Sequence, residues 1–251
     1  MCMYPEMFGI FDSYTVMIVI GIIAAFTLLV IYFKKHQFSK KDILDLLICS
    51  SFAVAFGIVG ALVFEAIYER QWNWGLTFYG GLFGGIAGFL FVYYVIIRKS
   101  TTLKIAECFK IAPPAITIGH AFGRIGCFLD GCCYGKPTDS WIGVQFPGLP
   151  GPVIPTQLIE SIFLFLLTAV LLVLIFVFKF KYTFIVYLGA YSVFRFIIEF
   201  FRGDDRGHFL GIFSPSQIWS IFIWIIIVPF FFVLKKLVFM EKKENVEEQN
   251  N

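Results

Sequence analysis

Seven apolar stretches, at about residues 15–33, 43–68, 76–97, 105–129, 155–178, 182–201 and 217–234, divide this chain into segments of bilayer length. A helix rises ~1.5 Å per residue, so ~20 apolar residues span the ~30 Å of hydrocarbon in a membrane. Lipid offers no partner for an open backbone amide, which favours helices, and the alternating ten-residue pattern of a β-barrel is absent from the sequence. Only 15% of the residues are charged and 59% are apolar or aromatic, against about 25% charged in soluble domains. That composition excludes a disordered chain, a nucleic-acid binder and an ordinary cytosolic enzyme. The expected fold is all-α, a polytopic membrane protein of about seven transmembrane helices, forming a single domain over residues 1–251 with a frayed, charged cytoplasmic tail at 241–251.

Basic residues set the expected orientation. Lys34, Lys35, Lys40, Lys41, Arg98, Lys99, Lys104, Lys179, Lys181, Lys235, Lys236, Lys242 and Lys243 follow the odd-numbered stretches, whereas Arg70, Lys136, Arg202 and Arg206 follow the even ones. The positive-inside rule then puts the N-terminus outside and the C-terminus in the cytoplasm. The first stretch has no basic leader and no small-residue cleavage site, and a basic stop follows it, so it reads as a span rather than a signal peptide. Trp72, Trp74 and Trp141 flank spans on the outer side, as an interfacial belt does. The fourth stretch is the least apolar: Glu107, Lys110, Pro113, Pro114, His120 and Arg124 require it to line protein or water.

A charge at bilayer depth costs ~2.5–3.5 kcal/mol on insertion scales, so each needs a reason. Two segments collect such charges. In Gly119-His-Ala-Phe-Gly-Arg-Ile-Gly-Cys-Phe-Leu-Asp-Gly-Cys-Cys-Tyr-Gly135, the residues His120, Arg124 and Cys127 share one helical face. Gly119, Gly123 and Gly126 would let a helix or a lipid headgroup come close. In the second segment, Tyr187, Tyr191, Arg195, Glu199 and Arg202 project within about 120° of one another at 100° per residue, with Arg195 and Glu199 spaced as an i,i+4 pair. These charges could simply glue helices together. The alternative is an anion site, because Glu199 alone cannot neutralise Arg124, Arg195 and Arg202, and a phosphate accepts from two guanidinium forks.

Gly123-Arg-Ile-Gly-Cys-Phe-Leu-Asp-Gly-Cys-Cys-Tyr-Gly135 and Tyr191-Ser-Val-Phe-Arg-Phe-Ile-Ile-Glu-Phe-Phe-Arg202 together resemble the two hallmark segments of the bacterial prolipoprotein diacylglyceryl transferase family. Pro155-Thr-Gln-Leu-Ile-Glu160 and Phe78-Tyr-Gly-Gly-Leu-Phe-Gly84 resemble two further segments, and all four stand in the family's order. The resemblance implies a transferase that moves the diacylglyceryl group of phosphatidylglycerol onto the lipobox cysteine thiol in the signal peptide of a preprolipoprotein. A thioether forms and glycerol phosphate leaves. It implies a multi-pass protein of the bacterial plasma membrane, with its active site towards the outer leaflet, no cofactor and no metal.

By the match, Arg124, Arg195 and Tyr191 are the expected catalytic groups, with Glu199, Arg202, Tyr79, Gly80, Gly81 and Asp130 binding substrate. Four polar positions of the family have changed type: its histidine is Tyr79, its two asparagines are Cys127 and Asp130, and its glutamate is Cys132. A phenol titrates near ~10 and is a poor base at neutral pH, so His120, one turn before Arg124, is the candidate base. Cys127, Cys132 and Cys133 leave several options open: a disulfide, plain thiols, a thiol carrying an intermediate, or a metal clip that also uses His120. Two other functions remain beside the favoured one. One is a related phospholipid-dependent transferase with another acceptor; the other is a non-catalytic protein that binds anionic lipid.

Overall fold

The computed structural model describes the backbone of residues 6–7, 11–69, 78–98, 101, 103–203 and 213–250. Among the described residues, a two-residue antiparallel ladder, β1 (Glu6–Met7) with β2 (Phe11–Asp12), precedes seven helices. These are α1 (Ser13–Lys35), α2 (Lys40–Glu69), α3 (Phe78–Phe91, continued by a π-helical turn Val92–Ile97), α4 (Ile105–Asp130), α5 (Thr156–Phe176), α6 (Thr183–Ile198) and α7 (Pro215–Asn250). The protein is thus a polytopic membrane protein built of helices. Six of the seven are long and apolar enough to cross a bilayer. The exception is α4, whose 26 residues reach about 39 Å but carry Glu107, Lys110, Arg124 and Asp130. Residues 241–250, expected to fray, continue α7 as helix. Trp72, Trp74, Arg70, Asp204, Asp205 and Arg206 lie outside the described residues, as do the side chains of Glu65 and Tyr79.

The helices pack as two compact units, Met1–Leu29 with Phe109–Asn251, and Val30–Cys108. In the first, α1 starts at Asp12, whose Oδ2 accepts from the amide (2.8 Å) and hydroxyl (2.7 Å) of Thr15. Those bonds hold the exposed Asp12 carboxyl below its ordinary range. A Cβ on Gly21 would meet Gly119 O at 2.8 Å, and one on Gly126 would meet Tyr14 and Met17, so α1 runs antiparallel to α4 along a glycine seam. The hydroxyl of Ser161 donates to Ala121 O (3.0 Å), and those of Thr117 and Thr168 meet at 2.7 Å, which sets α5 antiparallel to α4. Trp224 Nε1 donates to Ser192 Oγ (2.9 Å) and Arg195 to Ser216 Oγ (2.9 Å), so α7 returns antiparallel to α6.

Pro113 and Pro114 sit inside α4, where each removes an amide that would have bonded four residues back. The carbonyl of Lys110, left by Pro114, takes a hydrogen bond from Thr183 Oγ1 at 2.6 Å instead. The first residue of α6 therefore replaces the missing donor, and α6 runs parallel to α4.

The α4–α5 connection is tied down at its start. Gly135 N donates to Ile154 O (2.8 Å), Lys136 N to Phe201 O (2.8 Å) and Gly203 N to Tyr134 O (3.2 Å). A Cβ on Gly135 would strike Phe201 O at 2.7 Å, so only glycine lets the two backbones close here. Trp141, farther along the loop, is 94% exposed.

In the second unit, Ser39 caps α2 by exchanging bonds with Asp42: Ser39 Oγ donates to Oδ2 at 2.6 Å and accepts from the Asp42 amide at 3.1 Å. Cys49, Val92, Tyr93 and Ile97 form a buried core, with Tyr93 OH donating to Leu103 O (3.0 Å). Glu107, at the start of α4, accepts from Tyr32 OH at 2.6 Å. Gly57 and Gly60 of α2 face Gly80, Gly81, Gly84 and Gly85 of α3 in an antiparallel seam. A Cβ on Gly84 would collide with Phe56 O, whereas one on Gly81 would sit 3.6 Å from Gly57 O, an ordinary contact. Gly84→Val is therefore expected to lower stability by about 1–3 kcal/mol, and Gly81→Ala to change it little. Thermal unfolding in detergent micelles measures both.

Candidate active site

Glu160, in the second turn of α5, is fully buried. A lone carboxylate there would be prohibitively costly, and four side chains from two other helices meet it. Arg124 of α4 brings Nε to 3.0 Å from Glu160 Oε2. Arg195 of α6 brings Nη1 to 3.4 Å from the same oxygen. Tyr191 OH donates to Oε1 at 2.9 Å, and His120 Nε2 stands 3.8 Å from Oε1. The His120 ring meets the Tyr191 ring edge to face, with centroids 5.4 Å apart. Arg195 also reaches Glu199 at 2.9 Å, as its i,i+4 spacing requires.

Local helix geometry explains the convergence. His120 and Arg124 lie four apart on α4, and Tyr191 and Arg195 four apart on α6, so each helix presents two polar groups on one stripe. The antiparallel α5 carries Glu160 to both stripes. The close contact of Arg124 Nε with Glu160 is ionic rather than an in-line hydrogen bond, and Nε is buried without a hydrogen-bond partner. Among the described residues Glu160 is its only ion-pair partner. The terminal amino groups of Arg124 are thus available to a ligand. Beside it, a Cβ on Gly123 would meet nothing within 4 Å, while Gly119 and Gly126 are packed against α1. Of the three glycines that could admit a headgroup, only Gly123 borders open space.

The structure brings His120, Arg124, Tyr191, Arg195 and Glu199 into one network, as the sequence suggests, and adds Glu160 and Ser216. The charge count changes accordingly. Glu160 and Glu199 balance Arg124 and Arg195, so any anion held here is met by directed N–H donors rather than by excess positive charge. Arg202 departs from its projected stripe. The helix ends at Ile198, a 3₁₀ turn follows over Glu199–Phe201, and Arg202 is extended, buried and bridged through its backbone to Gly135. Asp130 is the last residue of α4. Gly80 and Gly81 belong to the unit Val30–Cys108, where the Gly80 face is filled by Gly60 and Phe64. The Sγ atoms of Cys127, Cys132 and Cys133 lie within 4.8 Å of one another, and His120 is turned to Glu160 instead of joining them.

Residues 7–233 match the sequence profile of a family described as prolipoprotein diacylglyceryl transferase. The chain belongs to that family. A relative from Clostridium tetani (strain Massachusetts / E88), named phosphatidylglycerol–prolipoprotein diacylglyceryl transferase, is 34% identical over 245 residues, covering 89% of this chain and 95% of its own. One from Clostridium perfringens (strain 13 / Type A), named phosphatidylglycerol–prolipoprotein diacylglyceryl transferase 2, is 35% identical over 239 residues, 88% of this chain and 90% of its own. A third, from Finegoldia magna (strain ATCC 29328 / DSM 20472 / WAL 2508), shares the first relative's name and is 32% identical over 218 residues, 83% and 85% of the two chains.

In this member of the prolipoprotein diacylglyceryl transferase family, sequence reasoning gave Glu160 no role of its own. The signal was available: Pro155-Thr-Gln-Leu-Ile-Glu160 is one of the four matched segments, and it opens a helix otherwise free of charge. Glu160→Ala strands Arg124 and Arg195 and is expected to destabilise the protein by about 3–5 kcal/mol. Glu160→Gln, which keeps an acceptor for Tyr191, is expected to cost less. Thermal unfolding of the two variants side by side provides the comparison.

Proposed function

We propose that this protein transfers the diacylglyceryl group of a phosphatidylglycerol to the thiol of a lipobox cysteine in a preprolipoprotein. The sulfur forms a thioether to the glyceryl carbon, and glycerol phosphate departs with the electron pair of the broken C–O bond. Its relatives' names support the donor and the acceptor. The observation that carries the reading onto this chain is Arg124: Glu160 fixes it through Nε, its terminal amino groups remain unspent, and it stands next to the open face of Gly123.

A guanidinium already oriented in a water-poor site stabilises a departing phosphate without reorganising. In this reading Arg124 binds the phosphate, and Arg195, steadied by Glu199 and Ser216, shares the developing charge. Tyr191 and Glu160 keep the two cations in register. Arg202 and Asp130 border the same end of α4. In the same reading His120 accepts the acceptor's proton. By the resemblance, Tyr79, Gly80 and Gly81 would also bind substrate.

The protein lies in the bacterial plasma membrane with its N-terminus outside, its C-terminus in the cytoplasm and the site facing the outer leaflet. The basic residues that follow the odd-numbered apolar stretches support this, as does the alternating direction of α4, α5, α6 and α7, which suits an α4 that crosses the bilayer. A second reading retains the phospholipid donor and changes the acceptor. Tyr79, Cys127, Asp130 and Cys132, standing where the resemblance leads one to expect other polar residues, favour it.

Purified protein incubated with phosphatidylglycerol and a lipobox peptide, followed by mass spectrometry of the peptide, tests the assignment. Arg124→Ala and Arg195→Ala are each expected to slow transfer by about 10²–10³-fold. Unchanged transfer in either variant would remove the anion site. His120→Gln is expected to slow transfer and abolish the acidic limb of its pH–rate profile; an unaltered limb excludes His120 as the base. Gly123→Ala is expected to leave thermal stability unchanged while raising the lipid KM.

A further inference from the structure

The three thiols at the end of α4 are the feature that the proposed transfer leaves unused. Cys127 lies in the last turn of α4, and Cys132 and Cys133 follow the turn at Gly131. All three Sγ atoms lie within 4.8 Å of one another. Four residues lie between Cys127 and Cys132, so this proximity is made by the fold.

Several contacts build it. Gly131 (φ 74°) and Cys133 (φ 64°) both take left-handed backbone conformations, which turn the chain back over the end of the helix. The Cys132 amide donates to Cys127 O at 3.1 Å. Two buried side chains at the start of α5 then fix the carbonyls: Gln157 Nε2 donates to Cys132 O at 2.6 Å and Thr156 Oγ1 to Cys133 O at 2.9 Å. A disulfide would use two of these sulfurs and leave the third unexplained. A metal uses all three.

With Zn–S bonds of ~2.3 Å, tetrahedral thiolates sit ~3.8 Å apart, within a side-chain rotation of the spacing observed. Soft sulfur donors select zinc over harder cations. Among the described residues no His, Asp or Glu joins the cluster. We propose that Cys127, Cys132 and Cys133 bind one Zn²⁺ through three thiolates, with the fourth tetrahedral position open to the acceptor thiol.

The second half of this proposal rests on the transfer reading above. Arg124, which would hold the phosphate, is one helical turn from Cys127, so acceptor and leaving group would be neighbours. The acceptor thiol displaces a zinc-bound water, which leaves as water, and its proton passes to His120, the base of the transfer reading. The bound thiolate sulfur then forms the S–C bond as the C–O bond breaks, and the electron pair goes to the glycerol phosphate oxygen. The thioether, a weaker ligand, is replaced by water.

The test uses the full chain, reduced and metal-stripped in detergent micelles, with Co²⁺ as a spectroscopic stand-in for zinc. One equivalent should give a sulfur-to-cobalt charge-transfer band and the intense visible bands of a tetrahedral site. Cys132→Ser and Cys127→Ser should weaken Co²⁺ affinity by more than the roughly 10–100-fold typical of losing an outer-shell partner. Cys49→Ser should not. A lipobox peptide bearing cysteine should shift the band, and its serine counterpart should leave it unmoved.

Absence of the charge-transfer band in the wild-type chain overturns the site, as does a band that survives both cluster variants or a disulfide among the three cysteines in protein purified without oxygen. A band indifferent to the cysteine peptide overturns the open position. Lipid transfer by metal-free protein overturns the zinc proposal and leaves the transferase reading standing. A cobalt site that responds to the peptide in a chain that transfers no lipid supports the metal site and sinks the transferase reading.

Discussion

One buried carboxylate organises the larger unit. Glu160 has no exposure and contacts Arg124 from α4 together with Arg195 and Tyr191 from α6. In a medium that cannot solvate ions, none of these charges is tolerable without the others, so the three helices are committed to one another. The arrangement also divides the labour between the arginines. Arg195 is held by Glu160, Glu199 and Ser216, whereas Arg124 is gripped on one edge only. A clamped cation beside a partly free one can stay in place while its neighbour takes a ligand.

Much of this was legible in the sequence, for a physical reason. Hydropathy sets the helices, because bilayer thickness and backbone hydrogen bonding leave few other solutions, and every apolar stretch became a helix, six of them within a few residues of their expected bounds while α7 runs on to Asn250. The polar stripe of α6 was visible because 3.6-residue periodicity aligns Tyr187, Tyr191 and Arg195. Arg202 escaped because that projection presumes an unbroken helix, and the 3₁₀ turn over Glu199–Phe201 ends it. Glu160 escaped because periodicity speaks only within one helix, and its partners all come from others.

The glycines make the same point on a smaller scale. Gly119, Gly123 and Gly126 look equivalent in sequence, each sparing a Cβ on α4. In the structure two are filled by α1 and one is not. The paired glycines of α2 and α3 are likewise packing surfaces, where backbone approaches backbone. Small residues say that something comes close, and only the neighbouring helix says what.

The prolines of α4 carry a consequence for how this part of the molecule can deform. Thr183 supplies the donor that Pro114 removed, at the opposite end of α4 from the arginine network. Helices α4 and α6 are therefore joined like two rungs of a ladder, by a neutral hydroxyl at one end and by ions at the other. The diproline step, where two intrahelical hydrogen bonds are missing, lies between the two ties and is where bending would cost least. The middle of the helix could then flex while the arginine network at its far end holds its spacing.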